Sequence, residues 1–339
     1  MSDPSMRVGV AGLGYWGPNL ARNFASILDC ELRWCCDPDA TARESARTRF
    51  PGVRVTDDLD ELLADDELDA VALATPVPTH AALATRILTA GKHCFVEKPL
   101  GQSVAEAQQA VRAAAASGKL LMVGHLLEYH PAVRKLKELT DSGQLGERIY
   151  YIYGNRLNLG KLRADENALW SLGAHDVSVV LYLAGEEPWE AVAHGESYVR
   201  AGVEDVVFCF LRFPSGMCAH LHLSWLDPHK ERRFTVVGSQ RMATFDDMAA
   251  EGKLTIYDKG FDHDLRTDGE YVPRVGGMES PPLPAVEPLR LECEHFVRCV
   301  LSGERPQSDG ESGLRVVRVL EQLQRSLEAS AVSEAAGAS

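Results

Sequence analysis

The sequence predicts a doubly wound α/β domain followed by an α+β domain of antiparallel strands, and three observations carry that prediction. Over residues 1–125 short apolar, β-branched runs alternate with amphipathic stretches, the pattern of a parallel sheet covered by helices. Beyond Pro131 several strand-like runs follow one another through short turns without helices between them, which implies antiparallel pairing. The length, 339 residues, accommodates about two domains at ~150 residues each.

The elements follow in order. Strands are expected at Arg7–Ala11, Glu31–Cys36, Asp69–Ala74, His93–Val96 and Leu120–Gly124, each a short apolar run of a kind buried on both faces. Between them the helical period marks 18–28, 41–50, 79–90 and 104–117, the last stopped by Gly118 as a C-cap. A helix from Pro131 to about Ser142, a strand over 147–157 and a helix over 173–183 open the second domain. Strands at 204–213, 217–225, 232–237 and 241–245 then follow, with Pro214-Ser215-Gly216 and Gly238-Ser239-Gln240 as the clearest turns. The segment 273–288 holds five prolines and two adjacent glycines and reads as a surface loop. Helices at 289–301 and 313–328 close the fold. The expected division is 1–125, 126–330 and a small, polar, flexible tail at 331–339.

Composition narrows the function. Thirty-five basic against 49 acidic side chains give a net charge of −14 without a long basic run, which argues against nucleic-acid binding through phosphate neutralisation. No stretch approaches the ~20 apolar residues of a membrane span, and the first residues lack a basic segment followed by an apolar one, so a cytoplasmic protein is expected. The eight cysteines form no C-x-x-C pair and lie mostly in apolar runs, as buried reduced thiols do.

Gly12-Leu13-Gly14-Tyr15-Trp16-Gly17 follows the first strand and opens the first helix. Its glycines suit a tight turn, close approach of a pyrophosphate and close packing of helix on strand, with the phosphate at the helix N-terminus. Asp37 ends the second strand, where a carboxylate accepts hydrogen bonds from an adenosine ribose; it is also placed as a turn residue before Pro38. Together these features favour dinucleotide binding, with NAD preferred over NADP because a carboxylate repels a 2′-phosphate; Arg43 is the alternative contact should NADP bind. Thr75, Pro76 and His80, after the strand ending at Ala74, and Glu97-Lys98-Pro99, after the next, lie at the carboxyl edge where such sheets bind ligands.

Gly12–Gly17, Thr75-Pro76, Glu97-Lys98-Pro99 and 170–176, Trp-Ser-Leu-Gly-Ala-His-Asp, resemble the glucose-fructose oxidoreductase/inositol dehydrogenase (Gfo/Idh/MocA) family over nearly the whole chain. Residues 14–19, 155–160 and 288–296 are similar to its bacterial sugar-nucleotide 3-dehydrogenases, which act on UDP-N-acetylglucosaminuronic acid. The resemblance implies a Rossmann domain followed by a domain with a large, open, mostly antiparallel sheet. It implies that Lys98 and His175 face the reacting hydroxyl as catalytic residues, and that the Lys98-Pro99 peptide is cis. Many members carry D-x-x-x-H, whose aspartate position is Ser171 here.

The remaining candidates are binding residues. His125 and Tyr129 are placed either along the substrate pocket or in inter-domain packing, and Asp176 beside His175. Arg156, Lys161 and Arg163 form a basic strip read either as a solvated face or as counter-charge for a pyrophosphate or uronate. His220 and His222 share a strand face, yet no nearby carboxylate or thiol completes a metal site. The activity expected is hydride transfer between NAD and C3 of a nucleotide-linked sugar, with an inositol, polyol or free-sugar dehydrogenase as the alternative and a non-catalytic dinucleotide sensor as a further one. Apolar residues on both faces of 204–245 imply a sheet covered by a second subunit, hence a homodimer or homotetramer.

Overall fold

The structure, a computed structural model, describes residues 6–160, 162, 166–264 and 269–337. It divides into two units, one comprising 1–129 and 286–318, the other 130–285 and 319–339.

The first unit is built on six parallel strands, β1 (Met6–Ala11), β2 (Cys30–Cys36), β3 (Arg54–Thr56), β4 (Ala70–Leu73), β5 (His93–Glu97) and β6 (Leu121–Gly124), in the order β3-β2-β1-β4-β5-β6. The order reverses between β1 and β4, so the strand ends on either side of that point diverge and leave a crevice for a ligand. Every residue of β4 and β6 is buried, which is why these strands read as continuous apolar runs. Helices α1 (Gly17–Ser26), α2 (Ala40–Arg49), α3 (Leu59–Leu63), α4 (His80–Thr89) and α5 (Val104–Ser117) connect them. The ends of α5 follow from local chemistry: the Ser103 hydroxyl accepts from the Glu106 N–H, and Gly118 takes the left-handed conformation at φ +66°. The strand β3 and helix α3 span three and five residues, too short for their periodicity to register in the sequence.

The chain also returns to this unit late. Helix α8 (Pro288–Ser302) sends Phe296 against Phe24 and Phe95, with ring centroids 6.2 and 5.8 Å away in edge-to-face contact. The division expected at 126–330 therefore misses a segment that joins the first core through apolar contacts distant in sequence.

The second unit carries eight strands: β7 (Ile149–Leu159), β8 (Glu190–Glu196), β9 (Val206–Arg212), β10 (Cys218–Ser224), β11 (Leu226–Gly238), β12 (Met242–Asp246), β13 (Leu254–Asp264) and β14 (Glu270–Glu279). Their order is β14-β13-β12-β11-β7-β10-β9-β8, antiparallel except that β7 and β10 run parallel. Although β10 and β11 are consecutive in sequence, they are not neighbours, because β7 is inserted between them. Helices α6 (Pro131–Asp141), α7 (Ala174–Ala184) and the second part of α9 (Gly310–Gly337) belong to this unit. Two expectations are corrected. Part of the proline-rich segment read as a loop is β14, an edge strand, where Pro273 is tolerated because one side of the strand needs no hydrogen-bond partner. The tail expected to be flexible from 331 is helical to Gly337, in keeping with the helix propensity of its alanines. Among the described residues no helix is long and apolar enough to cross a membrane. All eight cysteines are free thiols, seven of them buried.

Candidate functional site

The glycine loop separates three different requirements. Gly12 has φ +88°, and a Cβ there would lie 2.6 Å from the carbonyl of Ala74; a Cβ on Gly17 would fall 1.8 Å from the Gly12 oxygen. These two glycines bring β1, β4 and α1 into contact. A Cβ on Gly14 would meet nothing within 4 Å, and the residue is exposed, so its missing side chain serves access rather than packing. No side chain caps α1 at Trp16, which leaves its first turn as a site for anionic oxygens. Tyr15, 85% exposed, stands edge-on to Trp16 at 5.7 Å.

Asp37 leaves the end of β2 and ties this loop down. Its Oδ2 accepts from the Leu13 N–H at 2.5 Å and its Oδ1 from the Asp39 N–H at 2.8 Å. Each oxygen retains a further lone pair for a ligand hydroxyl. Arg43 donates to the carbonyls of Asp37 and Pro38 at 2.8 and 2.9 Å and pairs with Asp57 at 3.3 Å. Open space at Gly14, an uncapped helix start and a half-buried carboxylate at the β2 end fit a dinucleotide, whose pyrophosphate the loop would hold and whose ribose Asp37 would meet.

Past the switch point the loops after β4 and β5 are joined by His80. Its Nδ1 lies 2.8 Å from the Pro99 carbonyl oxygen and its Nε2 2.7 Å from that of Thr75. Both neighbours are acceptors, so a neutral ring donates to one of them and an imidazolium to both. Burial, with the charge of Lys98 as a smaller cause, lowers the His80 pKa, while the two carbonyls oppose the shift. Expected as a direct cofactor ligand, His80 is instead buried, with both ring nitrogens facing protein carbonyl oxygens. Thr79 holds the same loop through the Thr75 hydroxyl at 2.8 Å and the Pro76 carbonyl at 2.7 Å, leaving Pro76 exposed at the edge.

Lys98, half-buried, follows β5, and the Lys98-Pro99 peptide is cis. Its neighbours are titratable. Burial pushes the Glu97 carboxyl up to about 7 against the pull of the Lys98 ammonium. Burial pushes His125 down to about 3, and Lys98 adds to the shift. His125, 1% exposed at the end of β6, has no hydrogen-bond partner on either ring nitrogen among the described residues. Tyr129 is placed differently from the pocket-lining reading: it is wholly buried, its hydroxyl lies 3.0 Å from Ser308 Oγ and its ring packs on His295 of α8. It belongs to the core of the first unit.

In the second unit a π-helical turn over Leu169–Gly173 leads into α7, whose first turn carries His175 and Asp176. Asn167 organises the approach, donating to Glu204 at 2.6 Å and to Gln324 at 2.9 Å and accepting from the Trp170 N–H at 3.1 Å. His175 is half-buried. Asp176 is fully buried, and its Oδ1 receives both Nε and Nη2 of Arg156 at 2.6 Å. Burial raises the Asp176 pKa while Arg156 opposes the shift. Arg156, 7% exposed, is therefore a partner of Asp176 rather than part of a solvated basic strip, and neither is presented to a ligand. Lys161 and Arg163, the other members of that strip, lie outside the described residues. His222 stacks on Phe208 at 4.4 Å on the sheet surface. The pairing of Arg156 with Asp176 and the clamp made by His80 carry no sequence signal, because each joins elements that only folding brings together.

Residues 6–125 match the model of an oxidoreductase family with an NAD-binding Rossmann fold, and residues 133–244 match the GFO/IDH/MocA C-terminal domain. The chain is 29% identical over 330 residues to the UDP-N-acetylglucosamine 3-dehydrogenase of Acidithiobacillus ferrooxidans, covering 96% of this chain and 98% of that protein. The solved structure of that enzyme superposes with a TM-score of 0.82 at 28% identity, covering 96% of this chain and 98% of the other. The scyllo-inositol 2-dehydrogenase (NAD(+)) of Bacillus subtilis is 26% identical, covering 89% of this chain and 88% of that one. GenD2 from gentamicin A biosynthesis, solved in complex with NAD, is 26% identical with a TM-score of 0.80, covering 96% of this chain and 95% of the other.

Proposed function

Since the chain belongs to the Gfo/Idh/MocA family of NAD(P)-dependent oxidoreductases acting on CH–OH groups, we propose that it transfers hydride between NAD and C3 of a nucleotide-linked hexose. The observation that carries the substrate class is end-to-end similarity to a UDP-N-acetylglucosamine 3-dehydrogenase, 96% of one chain against 98% of the other. The choice of NAD over NADP rests on Asp37, whose carboxylate at the end of β2 bonds a ribose hydroxyl and repels a 2′-phosphate.

NAD, held through its pyrophosphate at the glycine loop, would supply the hydride acceptor or donor. The protein supplies the rest. Lys98 holds the substrate oxygen with its ammonium and stabilises negative charge on it; the His175 imidazole takes the hydroxyl proton as the C–H electron pair leaves and the carbonyl forms. In reduction His175 returns that proton. With Ser171 at the aspartate position of D-x-x-x-H, no carboxylate at that site assists His175.

A second reading, inositol oxidation, is favoured by the similarity to scyllo-inositol 2-dehydrogenase. Following NADH absorbance with UDP-N-acetylglucosamine, UDP-N-acetylglucosaminuronate, free hexoses and scyllo- and myo-inositol separates the two. Turnover confined to the inositols would overturn the sugar-nucleotide reading. For assembly, Tyr151 and Phe208 on β7 and β9 stand 42% and 45% exposed on the sheet, which supports a second copy as their cover in a homodimer or homotetramer.

A further inference from the structure

We infer that the buried Arg156–Asp176 pair is a positioning element for His175, an inference that rests on reading His175 as the proton carrier. Helix α7 runs on without a break from the π-helical turn over Leu169–Gly173, so the winding of the helix changes just before His175. Asp176 ties the turn that follows this change to the sheet. It lies in the first turn, fully buried, and one of its oxygens receives two donors of Arg156 at 2.6 Å.

Arg156 sits within β7, and its backbone registers against Leu223 of β10 on one side and Arg232 of β11 on the other. Its side chain is buried, and the carboxylate it holds is one residue after His175. At 3.6 residues per turn, adjacent residues project ~100° apart, so pinning Asp176 inward sets the direction in which His175 leaves the helix. An apolar pair would fill the same volume at less desolvation cost but would leave the rotation of the turn less sharply defined. Asp176 Oδ2 has no hydrogen bond among the described residues, which leaves the bonds to Arg156 as the one polar anchor of this carboxylate.

The test uses the full chain and the variants Asp176→Asn, Arg156→Met, Arg156→Lys and His175→Asn. Two readouts are taken: kcat and KM with NAD and UDP-N-acetylglucosamine, and the ¹³C-histidine NMR spectrum without substrate, where loss of one signal in His175→Asn assigns His175 among the eleven histidines. Positioning predicts that Asp176→Asn and Arg156→Met lower kcat about 10- to 100-fold, leave the KM for NAD within about twofold, and shift the His175 signal alone. Arg156→Lys, which keeps a charge but not the planar fork, restores part of the rate. Wild-type kcat with an unmoved His175 signal in Asp176→Asn overturns the inference. So does a general collapse of histidine signals in both Asp176→Asn and Arg156→Lys, since the pair would then hold the unit rather than the residue. Should His175→Asn turn over normally, the reading of His175 as proton carrier fails, while its NMR signal still decides whether the pair positions it.

Discussion

Adding one methyl group at Gly14 should separate folding from cofactor binding in this protein. A Cβ there meets no atom within 4 Å and the backbone is outside the left-handed region, so Gly14→Ala strains nothing in the folded chain. By restricting the unfolded chain it should stabilise by roughly 0.4–1 kcal/mol, or about 1–3 °C in Tm. The same methyl stands where the pyrophosphate must approach the backbone. Losing one hydrogen bond to a charged group costs roughly 1.5–3 kcal/mol, which raises the Kd for NAD about 10- to 100-fold. The contrasting variant is Gly12→Ala, whose Cβ would lie 2.6 Å from the Ala74 carbonyl at φ +88°. Its strain includes ~1–2 kcal/mol for the left-handed conformation before any clash is counted, and its Tm should fall. Scanning calorimetry and calorimetric titration with NAD read both quantities on the same samples. Wild-type NAD affinity in Gly14→Ala, or wild-type stability in Gly12→Ala, would refute this division of labour.

Three further outcomes are expected. Asp37→Ala should erase the preference for NAD over NADP in paired titrations, the wild type favouring NAD; a wild type that binds both equally removes Asp37 from this role. The Glu97 carboxyl, raised from 4.5 to about 7, contributes stability that is complete below pH 4.5 and lost as the pH rises through 7. The loss amounts to about 3 kcal/mol. Glu97→Gln lacks this dependence, so urea unfolding should show the variant gaining on wild type between pH 5 and pH 8, and an unchanged difference would show that Glu97 is not the titrating group. His125, lowered from 6.5 to about 3, acts in the opposite sense, its contribution being present above pH 6.5 and lost toward pH 3, but it is common to both proteins in that comparison. Light scattering should find at least a dimer, and Phe208→Glu, which charges an exposed position on β9, should shift it toward monomer; a monomeric wild type ends the assembly proposal.

What the sequence makes legible is what neighbouring residues decide. The glycine loop follows from spacing alone, and Ser103 with Gly118 marks both ends of α5 because capping is a matter of one turn. Strands β4 and β6 are plain because both faces are buried. By contrast, Pro273 reads as a loop residue until its strand is known to be an edge. Phe296 looks like part of the second domain until α8 is seen packed on Phe24 and Phe95. Arg156 reads as a solvated or ligand-pairing cation because its partner lies twenty residues away on another element, and the two acceptors that hold His80 belong to different loops. Each of these misreadings concerns a contact between elements, whose partner no local window contains.

Hydride transfer between the nicotinamide and C3 of a nucleotide-linked hexose can be followed by isotope transfer. UDP-N-acetylglucosamine bearing deuterium at C3 is incubated with the protein and NAD, and the reduced cofactor is examined by mass spectrometry and proton NMR. Deuterium should appear at C4 of the nicotinamide with a 3-keto sugar nucleotide as the other product, and both should be lost in Lys98→Met and His175→Asn. Reduced cofactor without deuterium, or turnover untouched by both substitutions, would contradict it.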